Sequence, residues 1–193
     1  MKITKKIFIS LLFMILMFNV SAQDDLSKQL WKNFNFGWDV YKNEDYRWRN
    51  SFIGTAYVQN FEALPAAWWS AGLRINWSKY TLYPAGEFGM GGNKANLKTT
   101  SISIPAQLGY QVYQHKGMGM SLYTGPSFEL LLGSKLDGYP YDNINHFQTG
   151  WTFGSTLQFL YLLRARIAYT YYPTSLLSEK NLPRKAITFS IGF

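Results

Sequence analysis

The stretch Lys185-Ala186-Ile187-Thr188-Phe189-Ser190-Ile191-Gly192-Phe193 decides the fold. Successive residues of an extended strand point to opposite faces. Ile187, Phe189, Ile191 and Phe193 therefore share one face, and Thr188, Ser190 and Gly192 the other. The same period of two runs backwards from there. Between His146 and Leu160, Phe147, Trp151, Phe153, Leu157 and Phe159 alternate with Gln148, Gly150, Thr152, Gly154, Thr156 and Gln158. Tyr161, Leu163, Ala165, Ile167, Tyr169 and Tyr171 are interleaved with Arg164, Arg166, Ala168 and Thr170.

Further upstream, Ile102, Ile104, Ala106, Leu108, Tyr110 and Val112 oppose Ser101, Ser103, Gln107, Gly109 and Gln111. Leu122, Phe128 and Leu130 oppose Ser121, Gly125, Ser127 and Glu129. Trp69, Ala71, Leu73, Ile75 and Trp77 oppose Ser70, Gly72, Arg74 and Asn76, while in 47–59 two phases compete. In a soluble β-sandwich the apolar faces pack together and the polar faces meet water. Here the polar faces are Gly, Ser, Thr and Gln with isolated Arg and Glu, and the apolar faces are bulky with rings near their ends. That inversion implies a transmembrane β-barrel, with lipid outside, a crowded polar interior and strands of about 9–11 residues. Lipid offers the backbone no hydrogen bonds, so the sheet must close.

Composition agrees. The 193 residues include no cysteine, 18% aromatics and only 16% charged residues. This excludes a disulfide framework, a thiolate metal site and a lipoprotein anchor, and it is wrong for a disordered chain. At the N-terminus, Lys2, Lys5 and Lys6 precede the apolar run Ile7 to Phe18, and Val20-Ser21-Ala22 supplies the small residues of a cleavage site. The apolar run is too short to span a membrane, which takes about 20 residues. The expectation is a signal peptide over 1–22, cut between Ala22 and Gln23. The mature chain then carries a scattered net charge of +5, because the leader holds three of the 19 Lys and Arg and no acid. There is no basic stripe for nucleic acid.

The expected fold is all-β: a closed antiparallel transmembrane β-barrel of eight strands, with ten as the alternative count. Strands are expected at about 47–59, 67–77, 80–91, 100–113, 118–132, 146–160, 161–172 and 185–193. Ser78-Lys79, Gln114 to Gly117 and Leu160-Tyr161 become short periplasmic turns. Asn60 to Ala66, Gly92 to Thr99, Gly133 to Asn145 and Pro173 to Arg184 become longer outer loops. Aromatic girdles follow from this placement. Trp77, Tyr110, Phe159, Tyr161 and Phe193 fall at the periplasmic side, and Trp69, Phe147 and Tyr171 at the outer side. Phe34, Phe36, Trp38 and Val40 alternate with Asn33, Asn35, Gly37 and Asp39 and would make a ninth strand. An odd count conflicts with termini on one side, so residues 23–46 are read as an N-terminal extension or extra strand, and 47–193 as the barrel.

Several of these residues together resemble the PorT-like outer-membrane β-barrel proteins. They are the leader, Ile104-Pro105 in a strand ending at Tyr110, Tyr123-Thr124-Gly125-Pro126 and the terminal Phe193. The resemblance covers about 47–193 and is best over 100–193. It implies an eight-stranded barrel in the outer membrane of a Gram-negative bacterium, with Phe189, Ile191 and Phe193 as the signal read by the barrel insertion machinery. The founding members of that family are linked to protein secretion and gliding, while many relatives have no assigned role.

Candidate chemistry is sparse. His115 sits in a turn; His146 borders an outer loop holding Ser134, Asp137 and Asp142, where an Asp-oriented His base would be the mechanism of an enzyme. The same residues are ordinary turn formers. The glycines of 86–92 lack the Lys-Ser/Thr and helix of a phosphate loop. Two distant histidines make no metal site. No catalytic residue, cofactor or metal is expected. Arg74, Glu87, Glu129, Arg164 and Arg166 all face the lumen in this assignment, and unpaired buried charge is costly. A plugging Arg–Glu network is therefore expected. The reading is a small non-enzymatic outer-membrane barrel with a filled lumen. Its outer loops meet envelope or secretion-system proteins, and its partners also include outer-membrane lipid. Three alternatives remain: a narrow porin-like channel, an outer-leaflet lipid- or peptide-modifying enzyme, and a soluble exported barrel with an apolar ligand.

Overall fold

The computed structural model describes residues 33–83, 94–160, 163–178 and 183–193. The leader with Ala22 and Gln23, the Gly86–Gly92 run, Glu87 and Tyr161 lie outside the described residues. Nine strands are present: β1 Asn35–Lys42, β2 Tyr46–Phe61, β3 Leu64–Leu82, β4 Ala95–His115, β5 Met118–Leu136, β6 Tyr139–Pro140, β7 Phe147–Phe159, β8 Leu163–Ser175 and β9 Pro183–Gly192. β6 is a two-residue appendage on β5. The other eight form a closed antiparallel ring in the order β4-β3-β2-β1-β9-β8-β7-β5, with β5 returning to β4. Sequence neighbours pair throughout, except at the seam, where β1 meets β9 from Asn35↔Gly192 to Val40↔Ile187. The Phe193 amide extends that seam by donating to the Phe34 carbonyl at 3.0 Å.

The faces are as the alternation requires. Phe153, Ile167 and Phe189 point outward at 58%, 49% and 46% exposure, while Gln148, Thr152, Thr188 and Ser190 are buried inside. A contiguous exposed apolar band of this kind is stable only where another apolar phase covers it.

One end of the ring has tight turns at Glu62-Ala63 and Lys116-Gly117, and there β7 ends at Phe159 and β8 begins at Leu163. Lys116 and Gly117 both have positive φ, the geometry of a two-residue hairpin whose twist matches its strands. Asp137 and Gly138 repeat it between β5 and β6. The β3–β4, β6–β7 and β8–β9 connections, all longer, gather at the opposite end. In outer-membrane barrels short turns face the periplasm and long loops face outward.

The eight-strand count holds, but its composition differs from expectation. Among the described residues barrel strands begin at Asn35, so of the two readings of 23–46 the extra strand, and not the extension, describes Asn35–Lys42, which belongs to the ring. The segments expected at 67–77 and 80–91 are instead joined: Ser78 and Lys79 are mid-strand in β3, paired with Asn50 and Arg49. Of residues 60–66 only Glu62-Ala63 lies outside the strands, as a tight turn and not an outer loop, and the first outer connection is Asn43-Glu44-Asp45. β1 adds one strand and the fusion of 67–77 with 80–91 removes one, so the total stays at eight. These two changes also reverse β3, so Trp77 lies at the loop end and Trp69 at the short-turn end. The remaining described girdle residues lie where the alternation put them, with Tyr110 and Phe159 at the short-turn end and Phe147 and Tyr171 at the loop end.

β3, β4 and β5 run 19, 21 and 19 residues, about twice what a tilted crossing needs. Their loop-side halves therefore rise beyond the apolar band. There the two faces exchange character: Tyr80, Leu82, Leu97 and Leu136 turn inward, and Lys79, Lys98 and Lys135 outward.

Candidate functional site

Beyond the apolar band the barrel encloses a protein-like core. Tyr46, Leu82, Leu97, Leu131 and Leu136 meet Ile144, Leu176 and Leu177 from the loops. Those loops are stapled across the mouth. Ile144 bridges Leu177, the Asn145 amide donates to the Leu176 carbonyl at 2.9 Å, and the Asn145 side chain donates to the Ser175 carbonyl at 2.7 Å. The void left among Tyr46, Tyr80, Leu82, Leu176, Leu177 and Arg184 is about 10 Å³, room for one water at most.

Directly beneath lies the main charged contact of the interior. Arg184 donates to the Glu129 carboxylate, and both are buried. Its other terminal nitrogen donates to the Tyr80 hydroxyl at 2.7 Å. The guanidinium is held between rings, 4.7 Å from the Trp48 centroid and 3.8 Å from that of Tyr172. Trp48 in turn stacks on Tyr80 at 5.7 Å with planes 4° apart. Arginine suits this place because its flat, weakly hydrated fork both pairs with carboxylate and stacks on rings.

The pair continues into a hydrogen-bonded layer. Ser101 donates to Glu129. Asn76 donates to Ser101 and Ser103 at 3.3 and 3.1 Å and accepts from Asn50 at 3.4 Å. Asn50 also donates to Asp39 at 2.6 Å and accepts from Ser78 at 3.1 Å. A continuous chain thus links Asp39 on β1 to Arg184 on β9 through β2, β3, β4 and β5. Towards the short turns, Arg74 lies 4.6 Å over Phe52, Tyr123 packs on Trp68 at 6.2 Å, and Arg164 donates to Asn33.

The expected charge network is therefore redistributed. Glu129 is central but its partner is Arg184, not Arg74, Arg164 or Arg166. All three of those face the lumen from β3 and β8, nearer the short turns. Arg184, Asp39 and Tyr80 were missed. The signal for Arg184 was present: counting back from outward Ile187 places 186 and 184 inside. The rim residues do not converge on one another. Among the described residues, the His146 ring nitrogen Nδ1 lies 3.2 Å from the Leu131 carbonyl. Ser134 donates to the Tyr141 carbonyl, and Asp137 accepts from the Asn96 amide at 2.9 Å. No group of three or more His, Asp or Glu among them could hold a metal. Phe189, Ile191 and Phe193 form an outward apolar row along the seam strand and just past it.

Comparison with known proteins fits this architecture. No curated protein matches the sequence. Among solved structures, the outer membrane enzyme PagL superposes with a TM-score of 0.51 at 9% identity, over 81% of this chain and 97% of PagL. The Yersinia pestis outer membrane protein Ail gives 0.40 at 11% identity, over 83% of this chain and 96% of Ail. The NanC porin gives 0.31 at 8% identity, over 83% of this chain and 98% of that porin. At such identities the PagL likeness speaks for the fold alone. Residues 16–171 match the family described as outer membrane protein beta-barrel domain. This chain belongs to that family, and its place is the outer membrane of a Gram-negative bacterium.

Proposed function

We propose that the protein is a closed, non-conducting and non-enzymatic barrel that works through its loop end, as an accessory to envelope or secretion-system proteins. The observation that carries the closed reading is the Arg184–Glu129 pair clamped between Trp48 and Tyr172 under the apolar cap. An eight-stranded ring is just wide enough for side chains to fill, and these fill it. The accessory role is supported by the resemblance of 100–193 to PorT-like barrels and by the projecting β5–β6 hairpin. That hairpin carries Tyr139 at 75% exposure, an aromatic anchor of the kind enriched at protein interfaces.

Planar-bilayer recording of the refolded full chain tests closure. No steady conductance is expected; an ohmic step abolished by Glu129→Ala would establish the channel instead. A photo-crosslinker at Tyr139 in living cells tests the second half. Adducts with one envelope protein are expected, and their absence together with unimpaired secretion in a deletion strain would overturn the accessory role.

A further inference from the structure

Outside the barrel, above the apolar band, the register lines up cations. Arg49 on β2 pairs with Lys79 on β3, Lys79 with Lys98 on β4, and Lys98 with Lys135 on β5. All four side chains are exposed and point outward. Like charges directly opposite one another on neighbouring strands are destabilising, and here three such pairings follow in succession. The strands themselves hold no outward carboxylate among the described residues: Asp39 and Glu129 are the acids within them, and both face inward.

The next row towards the membrane differs in kind. Trp38, Ser51, Trp77, Thr100 and Gly133 are in register across β1 to β5. The exposed indoles of Trp38 and Trp77 thus stand on either side of Ser51, and Thr100 and Gly133 continue the row beyond Trp77 as a floor of small residues, where a Cβ at Gly133 would meet open space. Cations and floor together line one open groove of about 730 Å³. The in-register row is confined to β2–β5: Lys42 on β1 and Lys185 on β9 also face outward at the loop end, but β7 and β8 carry no outward cation. General snorkelling of Lys and Arg at an interface would give a ring, not a patch.

We propose that this face of β2–β5 is a binding site for the phosphate-bearing headgroup of an anionic outer-leaflet lipid. The row Arg49, Lys79, Lys98 and Lys135 meets the phosphates, and the first acyl carbons lie between Trp38 and Trp77. Charge complementarity selects the occupant. The site stands at headgroup depth, directly above apolar surface, where a phosphate joined to acyl chains satisfies both rows at once. Strands about 4.8 Å apart make the row about 14 Å long, enough for more than one phosphate.

The test uses full-length protein refolded in dodecylmaltoside, with lipid retention read by native mass spectrometry. Phosphatidylglycerol is expected to be retained at least tenfold over phosphatidylcholine. Each cation near an anionic surface contributes about fivefold, so Lys79→Gln with Lys98→Gln should lower phosphatidylglycerol retention about 25-fold and leave phosphatidylcholine unchanged. Lys116→Gln, at the opposite end, should change neither. Folding is checked by the heat-dependent gel shift. Should that pair not fold, Arg49→Gln with Lys135→Gln must show the same selective loss. Equal retention of both lipids, or an equal loss in Lys116→Gln, overturns the proposal. Full displacement by millimolar inorganic phosphate would assign the row to a free anion and overturn the lipid site too.

Discussion

Deleting either half of the Arg184–Glu129 pair should cost far more than replacing both. Breaking a buried ion pair from one side typically costs about 3–5 kcal/mol, because the remaining charge stays desolvated. The surroundings rank the two truncations. Glu129→Ala leaves Arg184 its bond to the Tyr80 hydroxyl and the faces of Trp48 and Tyr172. A desolvated cation–π contact retains about 2 kcal/mol, so this loss belongs near the low end, about 3 kcal/mol. Arg184→Ala removes the charge, the Tyr80 bond and both ring contacts, and leaves Glu129 with Ser101, so about 5 kcal/mol is expected. Arg184→Met with Glu129→Leu refills the space with apolar atoms and should stay within about 2 kcal/mol of the parent. Urea unfolding in phosphatidylcholine vesicles, followed by tryptophan fluorescence and by the gel shift of the folded band, measures all four proteins. If the double variant loses the sum of the single losses, the two side chains are independent and the reasoning is wrong.

Other outcomes follow from the same geometry. Asn76→Ala removes three hydrogen bonds at the centre of the polar layer and should cost about 1–3 kcal/mol in the same assay. Gly37→Ala places a Cβ 2.3 Å from the Phe189 carbonyl at the β1–β9 seam, forcing the backbone apart for about 1–3 kcal/mol, read as a lowered gel-shift temperature. Gly133→Ala, with nothing within 4 Å of its new methyl, should unfold within about 0.5 kcal/mol of the parent. A gel-shift temperature lowered as far as that of Gly37→Ala would refute the open floor of the groove.

Alternation exposed most of the barrel because lipid enforces it: wherever a strand crosses hydrocarbon, outward residues must be apolar and inward ones small or polar. β7, β8 and β9 read cleanly for that reason. The rule lapses where β2 and β3 leave the membrane. Around Trp48, Arg49, Lys79 and Tyr80 the enclosed side is a protein core and the outer side is wet, so the apolar phase shifts by one residue without any break in the strand. That shift made Ser78-Lys79 look like a turn and 47–59 look undecided. The segment Phe34 to Val40 was legible and was set aside only because the split strand had already completed an even count. Inward placement of Arg74, Glu129, Arg164 and Arg166 was also legible, since it depends on parity. Their pairing was not, because β9 lies opposite β4 and β5 across the lumen and only closure brings Arg184 against Glu129.

Because Asn35 pairs with Gly192, the ring of described strands closes only when β9 meets β1, about 150 residues away along the chain. No partial barrel can therefore be finished ahead of the ribosome, and contacts so distant along the chain form slowly. The whole polypeptide must cross to its destination as an open ribbon with a greasy side, reliant on escorts that keep it from clumping. A nonsense codon before Pro183 would leave two bare sheet edges in the bilayer, so such a truncation should be cleared by proteolysis and not accumulate as a weakened barrel.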